Sequence, residues 1–399
     1  MVSVCFYFQV HQPERIREYT VFESGQNSSY FFSQKNRQIL DRVAKKCYLP
    51  TNAILLELLK KHEKFRISYS ITGTALEQFE RFSPDVVKSF QRLADTGKVE
   101  FLDETYYHSL AALYSKQEFR EQVRMHTEKI RDLFGQTPKV FRNTELIYNN
   151  DIAAEVESMG YKGIIAEGAD HVLGWRSPNF LYRPAGKSIK LLLKNYKLSD
   201  DIAFRFSNQN WAEWPLSAGK FASWVNRING NGNCLNLFMD YETFGEHQWP
   251  STGIFNFLRA MPGEILKHAD NDFKTPTELA ESFDSVGEID CPWAISWADM
   301  ERDLSAWLGN TMQQSALKKI YEMENAVKAS GDKKLLRDWR LLQTSDHFYY
   351  MCTKWFSDGD VHKYFNPYES PYDAFITYMN ILDDLRSRIK TQVLPAITQ

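Results

Sequence analysis

Short apolar segments alternate with helical segments along the first part of the chain, and this alternation limits the possible folds more than any other feature. Each apolar segment ends on a polar residue and is followed by a stretch with helical spacing and readable end signals. Continuous apolar runs are typical of strands that helices cover on both faces. The pattern therefore predicts an α/β fold whose parallel strands form a barrel. The predicted strands are residues 2–9, 65–70, 99–102, 139–142, 163–166, 189–194 and 234–239.

The pattern changes at about residue 300, after which the sequence predicts only helices. The last of them begins after Ser370 and carries apolar residues at helical spacing. We therefore expect two domains, a barrel over residues 1–285 and an all-helical domain over residues 286–399 that contributes to the substrate cleft. The predicted C-terminal helices are residues 311–329, 334–342, 345–355 and 371–389.

The charge balance excludes two classes of partner. The chain has 48 Lys and Arg against 51 Asp and Glu, which gives a formal net charge of -3. Neither nucleic acid nor an anionic membrane surface would attract such a chain electrostatically. Aromatic residues reach 14%, and aromatic side chains that the core does not need can line a pocket for the flat apolar faces of sugar rings.

The cysteines and the N-terminal segment predict a reducing compartment. The five cysteines are odd in number and widely scattered, unlike a disulfide framework or a zinc site. The first apolar segment runs directly into polar residues and lacks the basic region and cleavage site of a signal peptide. No apolar stretch approaches the roughly 20 residues of a membrane helix. We therefore expect a cytoplasmic protein with no membrane partner.

Carboxylates follow four of the predicted strands. In a parallel barrel, functional groups collect at the carboxyl ends of the strands. Carboxylates that share a partly dry site acquire different pKa values, which separates a nucleophile from an acid, and glycosidases need such a pair. The strand-end positions are His11, Thr72, Glu104, Glu145, Glu167, Asn195 and Asp240.

Two segments at strand ends carry more polar groups than a strand requires, namely residues 141–146 and residues 237–249. In the second segment, period-two alternation places Asp240 and Glu242 on the same side. One of these two carboxylates can then act on a substrate while the other orients it.

Five short motifs occur along the chain, namely His11-Gln12-Pro13, Gly73-Thr74-Ala75-Leu76-Glu77-Gln78, Asn143-Thr144-Glu145-Leu146, Asp240-x-Glu242-x-Phe244-Gly245, and Trp297 with Asp299. In this order and over most of the chain, they resemble the five motifs of glycoside hydrolase family 57. The third and fourth motifs of that family carry its catalytic glutamate and aspartate. The stretch before the glutamate, Arg142-Asn143-Thr144, departs from the apolar, Trp-containing stretch of many members, which bears on substrate specificity and leaves the catalytic glutamate in place.

The resemblance implies an incomplete seven-stranded (β/α) barrel and an enzyme that retains anomeric configuration without a metal or other cofactor. Glu145 would be the nucleophile and Asp240 the general acid/base, with carboxyl groups about 5–5.5 Å apart. Glu167 is a rival nucleophile that no motif supports. We expect Trp297 to stack on a sugar ring. The other expected substrate-binding residues are His11, Gln12, Glu77, Glu104, Glu242, His247, Trp249 and Asp299.

The resemblance leaves several functions open. We expect α-amylase-type hydrolysis of α-1,4-glucan in glycogen, starch or a maltodextrin, although α-1,6-glucan is also a substrate class of the family. A 4-α-glucanotransferase or a branching enzyme would use the same two carboxylates. A catalytically inactive glucan-binding protein would need neither of them. A metal-dependent barrel enzyme would need a His/Asp ligand set, but Pro13 stands where its aspartate would fall.

Overall fold

The computed structural model describes residues 1–354 and 366–393. Its main strands are buried at all or nearly all of their residues. Within the described residues the strands are β1 (Val2–Val10), β2 (Ile67–Ile71), β3 (Val99–Phe101), β4 (Val140–Arg142), β5 (Gly163–Glu167), β6 (Arg183–Pro184), β7 (Lys190–Lys194), β8 (Cys234–Asp240), β9 (Asn271–Phe273) and β10 (Glu288–Ile289).

The main strands form two parallel sheets. One has the order β3-β2-β1-β8, with β9 also paired to β1, and the other has the order β4-β5-β7. A few backbone hydrogen bonds link them: Asp103 N donates to Val140 O at 3.0 Å, Arg142 N donates to Asp103 O at 2.8 Å, and Asn195 N donates to Asn236 O at 2.9 Å. The α/β prediction is confirmed. The strands follow one another around a ring without a continuous ladder between the sheets, which is consistent with an incomplete seven-stranded barrel.

All seven predicted strands are present, with ends that differ by two residues or fewer. The sequence missed β6, β9 and β10, which have only two or three residues each. Such strands are too short to show a hydrophobic period, and β9 is recognisable only by its pairing with the start of β1.

Helices cover the outside of the two sheets and connect successive strands. None of the described helices is both long and apolar enough to cross a membrane. Before residue 300 the described α-helices are Ser33–Val43, Leu49–Lys61, Gly73–Phe82, Pro84–Ala94, Ala111–Tyr114, Lys116–Phe134, Asn150–Ser158, Asp170–Leu173, Tyr196–Ala203, Ala218–Asn226, Ile254–Leu266 and Pro276–Ser282.

After residue 300 the described elements are all helical, as predicted. The predicted helix 311–329 is two helices that meet at Met323. The predicted helix 345–355 ends early, at Tyr349: residues 350–354 are described and not helical, and residue 355 lies outside the described part of the chain. The C-terminal helices are Ser305–Leu308, Thr311–Glu322, Glu324–Ala329, Lys333–Leu341, Ser345–Tyr349 and Pro371–Val393.

The C-terminal helices share a hydrophobic core with the second sheet. One cluster of buried residues joins Phe141 and Ile164 of β4 and β5 to Trp307, Trp339 and Tyr378 of the helices. A chain boundary near residue 285 therefore divides the sequence but crosses a common core, and the two-domain division stays a prediction.

Candidate active site

A cavity of about 170 Å³ lies where the strand ends meet the C-terminal helices. It brings together residues that are far apart in the sequence. Of the predicted site residues, those that line it are His11, Gln12, Glu145, Asp240, Glu242, His247 and Trp297. Further lining residues include Arg15, His108, Asp346, Tyr349 and Tyr350.

Glu145 enters this cavity from a tight turn directly after β4. The turn Thr144–Leu146 is a 3₁₀ helix in which Glu145 has φ 57 and Leu146 has φ 51, a left-handed conformation that is uncommon for residues other than glycine. Leu146 is completely buried in the barrel interior, whereas Glu145 is directed into the cavity. The left-handed turn thus directs the Glu145 carboxylate into the cavity while the next side chain, Leu146, enters the barrel interior.

Three side chains donate hydrogen bonds to the Glu145 carboxylate. Trp297 Nε1 donates to Oε2 at 2.8 Å, Ser345 Oγ donates to Oε1 at 2.9 Å, and His108 Nε2 lies 3.3 Å from Oε1. Burial acts to raise the pKa of Glu145, but the hydrogen bond and charge of His108, with the charge of Arg142, lower it to about 2. Glu145 is therefore ionised at neutral pH.

His108 is charged because a second carboxylate lies behind it. Its Nδ1 is 3.3 Å from Glu104 Oε2, and Glu104 in turn accepts from Gln9 Nε2 at 3.2 Å and pairs with Arg142 at 3.6 Å. Burial acts to lower the pKa of His108, but the hydrogen bonds to Glu104 and Glu145 raise it to about 9. Glu104 is completely buried and does not line the cavity, so it supports His108 and lies out of reach of a sugar.

Asp240 has a different environment at the end of β8. Among the described residues, no side chain hydrogen-bonds to its carboxyl group, although Arg142 and Lys194 act on it through their charges. Burial, followed by the negative charge of Glu145, raises the pKa of Asp240 to about 6. Asp240 therefore keeps its proton at mildly acidic pH, while Glu145 has lost its own.

Glu242 lies beside Asp240 and is held by a buried tyrosine. Tyr48 OH donates to Glu242 Oε1, and Gln12 Nε2 donates to Tyr48 OH at 3.1 Å. Burial and the charge of Asp240 raise the pKa of Glu242 to about 8.

The glycine of the same motif, Gly245, has φ 108, and a Cβ there would lie 2.0 Å from the Lys46 carbonyl oxygen, so no other residue fits.

His11 connects the start of the barrel to the C-terminal helices. Its Nε2 lies 2.9 Å from Asp346 Oδ2 and its Nδ1 lies 2.9 Å from Thr72 Oγ1. Since a carboxylate only accepts, we assign the proton to Nε2, and Thr72 then donates to Nδ1. Burial and the nearby charge of His108 lower the pKa of His11, which leaves the ring neutral.

His11, His108 and Asp346 form a group whose donor atoms lie within 4.8 Å of one another. The two rings are stacked, with centroids 3.9 Å apart and planes at 20°. Nearly parallel rings direct their nitrogen lone pairs side by side, so one metal ion could not lie on both axes. The ring nitrogens are also within 3.3 Å of oxygen atoms of neighbouring side chains. The group suits hydrogen bonding better than metal binding, and a metal-free site stays a prediction.

Besides Glu104, three predicted substrate-binding residues lie outside the cavity lining. Glu77 accepts from Tyr106 OH and from Arg337 Nη2, both at 2.8 Å, and so ties the barrel to a C-terminal helix. The side chain of Trp249 is 57% exposed on the surface. Asp299 is buried, with φ 54, in the loop after Trp297. Each motif has members at or near the cavity, but a motif does not tell which of its members faces the cavity, and the substrate-binding roles stay predictions.

The sequence analysis missed Ser345 and Asp346, which reach the site from the helical region. Ser345 bonds to Glu145 and Asp346 bonds to His11, across 200 and 335 positions of the chain. It also gave no catalytic role to Arg142 or His108. The strand-end rule cannot find Ser345 and Asp346, because they begin a helix that folds back over the barrel.

Comparison with known proteins identifies the family. The family profile described as "Glycosyl hydrolase family 57" matches residues 5–292. A protein of Methanocaldococcus jannaschii named "Putative alpha-amylase" is 43% identical over an alignment 404 positions long. The alignment covers 97% of this chain and 85% of that protein. The chain belongs to glycosyl hydrolase family 57. It is thus a glycoside hydrolase or transglycosylase, and the resemblance found in the five motifs is confirmed.

Solved structures support the fold of this family 57 chain. A branching enzyme of the family from Thermococcus kodakaraensis superposes with a TM-score of 0.68 at 14% identity, covering 98% of this chain and 94% of that one. A 4-alpha-glucanotransferase from Thermococcus litoralis superposes with a TM-score of 0.62 at 16% identity, covering 97% of this chain and 60% of that one. At such identities the likeness concerns the fold alone.

Proposed function

We propose that this family 57 enzyme hydrolyses α-1,4-linked glucan with retention of anomeric configuration, as an α-amylase does. The observation that carries the proposal is the opposite state of two carboxyl groups in one cavity. Glu145, with a pKa of about 2, is a carboxylate, and Asp240, with a pKa of about 6, can keep a proton. A retaining glycosidase needs this pair of a nucleophile and an acid.

In the first step, Glu145 attacks the anomeric carbon while Asp240 protonates the departing glycosidic oxygen. A β-glycosyl ester of Glu145 forms, and the shortened glucan leaves with the proton of Asp240. The donors Trp297, Ser345 and His108 hold the carboxylate in place before the attack. They restrict the rotation of Glu145, which keeps its oxygen near the reacting carbon.

In the second step, Asp240 acts as a base. It has lost its proton to the leaving sugar, and it now takes one from a water molecule that attacks the anomeric carbon of the glycosyl ester. Glu145 leaves as a carboxylate, which the charge of His108 stabilises. A sugar hydroxyl in place of water would give transfer with the same two residues, which is the reaction of a 4-α-glucanotransferase or a branching enzyme.

The glucan substrate class has support from the relatives. The 43% identical protein is named as an alpha-amylase, and the similar structures are a branching enzyme and a 4-alpha-glucanotransferase. We propose further that residues 286–399 act as a helical domain that completes the cleft with Ser345 and Asp346. The five free cysteines favour the predicted cytoplasmic location, where thiols stay reduced.

The test is incubation of the full chain with maltoheptaose and with glycogen, in the presence of a chelator, followed by chromatography of the products. We expect shorter maltooligosaccharides from the wild type and none from Glu145→Gln or Asp240→Asn. A ladder that also contains longer chains would instead indicate transfer. No product from either glucan, or full activity in both variants, would contradict the proposal.

A further inference from the structure

Trp297 is attached to Glu145 at two points. Its Nε1 donates to the Glu145 carboxylate at 2.8 Å, and its backbone N donates to the Glu145 carbonyl oxygen at 3.2 Å. Glu145 has φ 57, a backbone conformation that a non-glycine residue keeps only where its surroundings hold it. Trp297 therefore holds both the backbone and the carboxylate of Glu145.

Two cations lie against the indole ring of Trp297. Arg142 Cζ is 5.1 Å and Lys194 Nζ is 5.5 Å from the ring centroid, within the range of cation–π attraction. Both side chains are completely or almost completely buried, so water does little to weaken these contacts. The ring is thus fixed by its own protein, whether or not a sugar also stacks on it.

Arg302 holds the backbone of Trp297. Its Nη1 donates to the Trp297 carbonyl oxygen at 2.5 Å, and its own carbonyl oxygen accepts from Ser296 N at 3.1 Å. Arg302 has φ 54, so the loop that carries Trp297 is tightly bent at this residue. The side chain of Arg302 closes the loop onto itself.

Glu167, at the end of β5, pairs with two cations that contact Trp297: Lys194, which lies against its ring, and Arg302, which binds its backbone. Its Oε2 lies 3.4 Å from Lys194 Nζ and 3.5 Å from Arg302 Nη1, and Asp200 pairs with the same two cations at 3.4 and 3.7 Å. Glu167 is 1% exposed. A Cβ at the next residue, Gly168, would lie 2.2 Å from the Lys194 carbonyl oxygen, so the backbone here is packed directly on β7.

We propose that Glu167 is a positioning residue: through Lys194 and Arg302 it holds Trp297, and through Trp297 it holds Glu145. The inference rests on the proposed function for the role of Glu145 as nucleophile. It also gives a use to the carboxylate that the sequence marked as a rival nucleophile. Glu167 is not among the cavity-lining residues and is bound to cations, so it acts on the reaction only through its neighbours.

The first test needs no catalysis and uses the full chain with ¹⁵N-labelled tryptophan. Trp297→Phe identifies the Trp297 indole signal among those of the ten tryptophans. A hydrogen bond to a carboxylate moves an indole proton downfield, so we expect Glu145→Gln to move this signal upfield. Glu167→Gln should move or broaden the same signal. If Glu167→Gln does not fold, Arg302→Lys replaces it, since it keeps the charge but loses the two-pronged donor.

Glu118→Gln is the matched control. Glu118 is also completely buried and is also paired with two cations, Arg340 and Lys328, each at 2.8 Å. Its variant should lower the melting temperature and leave the Trp297 signal and kcat unchanged. Glu167→Gln should lower kcat on maltoheptaose on the order of 10- to 100-fold with KM almost unchanged, because the substrate still binds beside a misplaced nucleophile.

The outcomes separate this inference from the proposed function. If the Trp297 signal responds to Glu145→Gln and to Glu167→Gln while the wild type cleaves no glucan, the positioning role stands and the proposed function fails. If the wild type cleaves glucan but Glu167→Gln changes neither kcat nor the signal, the positioning role is overturned and the proposed function stands. If Glu167→Gln only lowered the melting temperature, as expected for Glu118→Gln, and left kcat and the Trp297 signal unchanged, the positioning role would also be overturned.

Discussion

Glu145 accepts hydrogen bonds from Trp297, Ser345 and His108, whereas no side chain of the described residues donates to Asp240 in the same cavity. Burial acts to raise the pKa of both carboxyl groups. Only Glu145 also has a charged hydrogen-bond donor, His108, so its pKa falls to about 2, while the pKa of Asp240 rises to about 6. Burial alone therefore does not set the role of a carboxyl group, and the charged donor beside Glu145 makes the difference.

Asp240 and Glu145 also differ in backbone conformation. Asp240 continues an extended strand end, with φ -66 and ψ 138, whereas Glu145 occupies a left-handed turn with φ 57. The strained turn brings the Glu145 carboxylate to donors from the loop at Trp297 and from the C-terminal helix at Ser345. Asp240 accepts no hydrogen bond from these donors and keeps the proton that an acid needs.

The largest expected effect comes from removing either carboxyl group. Glu145→Gln should lower kcat by about 10⁴-fold or more on every substrate, because the covalent step is lost. Asp240→Asn should lower kcat by as much on maltoheptaose. With a nitrophenyl maltoside, whose leaving group needs no proton, it should lower the rate of the first step far less. Steady-state and burst kinetics check this, with exposed Asp95→Asn as control. An equal loss of Asp240→Asn on both substrates would contradict the assignment of the acid.

The hydrogen-bond donors around Glu145 can be changed without removing Glu145 itself. His108→Gln should raise the pKa of Glu145, since the charge and hydrogen bond that lower it are lost, and kcat should fall about 10- to 100-fold. The acid limb of kcat/KM, near pH 2 in the wild type, should move to higher pH. Ser345→Ala removes one neutral donor and should have a smaller effect of the same sign. An unchanged acid limb in His108→Gln would contradict the comparison.

Arg142 acts on both carboxyl groups through its charge. Its charge lowers the pKa of Glu145 and of Asp240, so Arg142→Gln should raise both values. Activity needs ionised Glu145 and protonated Asp240, hence wild-type kcat/KM should fall as the pH rises through about 6. In Arg142→Gln both limbs of the profile should move to higher pH. The control Arg183→Gln, which breaks an exposed ion pair, should leave both limbs in place, and limbs that move in opposite directions would contradict the account.

The smallest effect on activity is expected at the contact between the barrel and the C-terminal helices. Arg340→Met leaves Glu118 buried with Lys328 as its remaining cation, which should lower the free energy of unfolding by about 3 kcal/mol. Because this pair does not touch the cavity, kcat should stay unchanged. Denaturant unfolding and kinetics on one preparation check both. A fall in kcat at full folding would show that this contact also shapes the active site.

The fold was predictable because its signals are local. Seven buried strands such as β1 and β8 appear as apolar runs in the sequence, and helix ends such as Gly135 carry their own signals. The strands of two or three residues were not predictable, since β9 exists only through its pairing with β1. Likewise, the break at Met323 within the predicted helix 311–329 has no glycine or proline to mark it.

The site was predictable where residues follow strands. His11, Glu145, Asp240 and Glu242 do so, and all of them line the cavity. Ser345 and Asp346 were not predictable, because their contacts depend on how a distant helix packs on the barrel. The role of Trp297 as a hydrogen-bond donor also depends on this packing, since the sequence marks an aromatic residue but not the direction of its N–H group.

Azide rescue tests the central claim, the division of roles between Glu145 and Asp240, most directly. Each residue is changed to glycine, and an activated α-maltosyl donor is supplied with sodium azide. In Asp240→Gly the glycosyl ester of Glu145 still forms, so azide should give the α-maltosyl azide. In Glu145→Gly azide should occupy the place of the lost carboxylate and give the β-maltosyl azide. Products of the opposite configuration, or rescue of neither variant while the wild type cleaves glucan, would contradict the account.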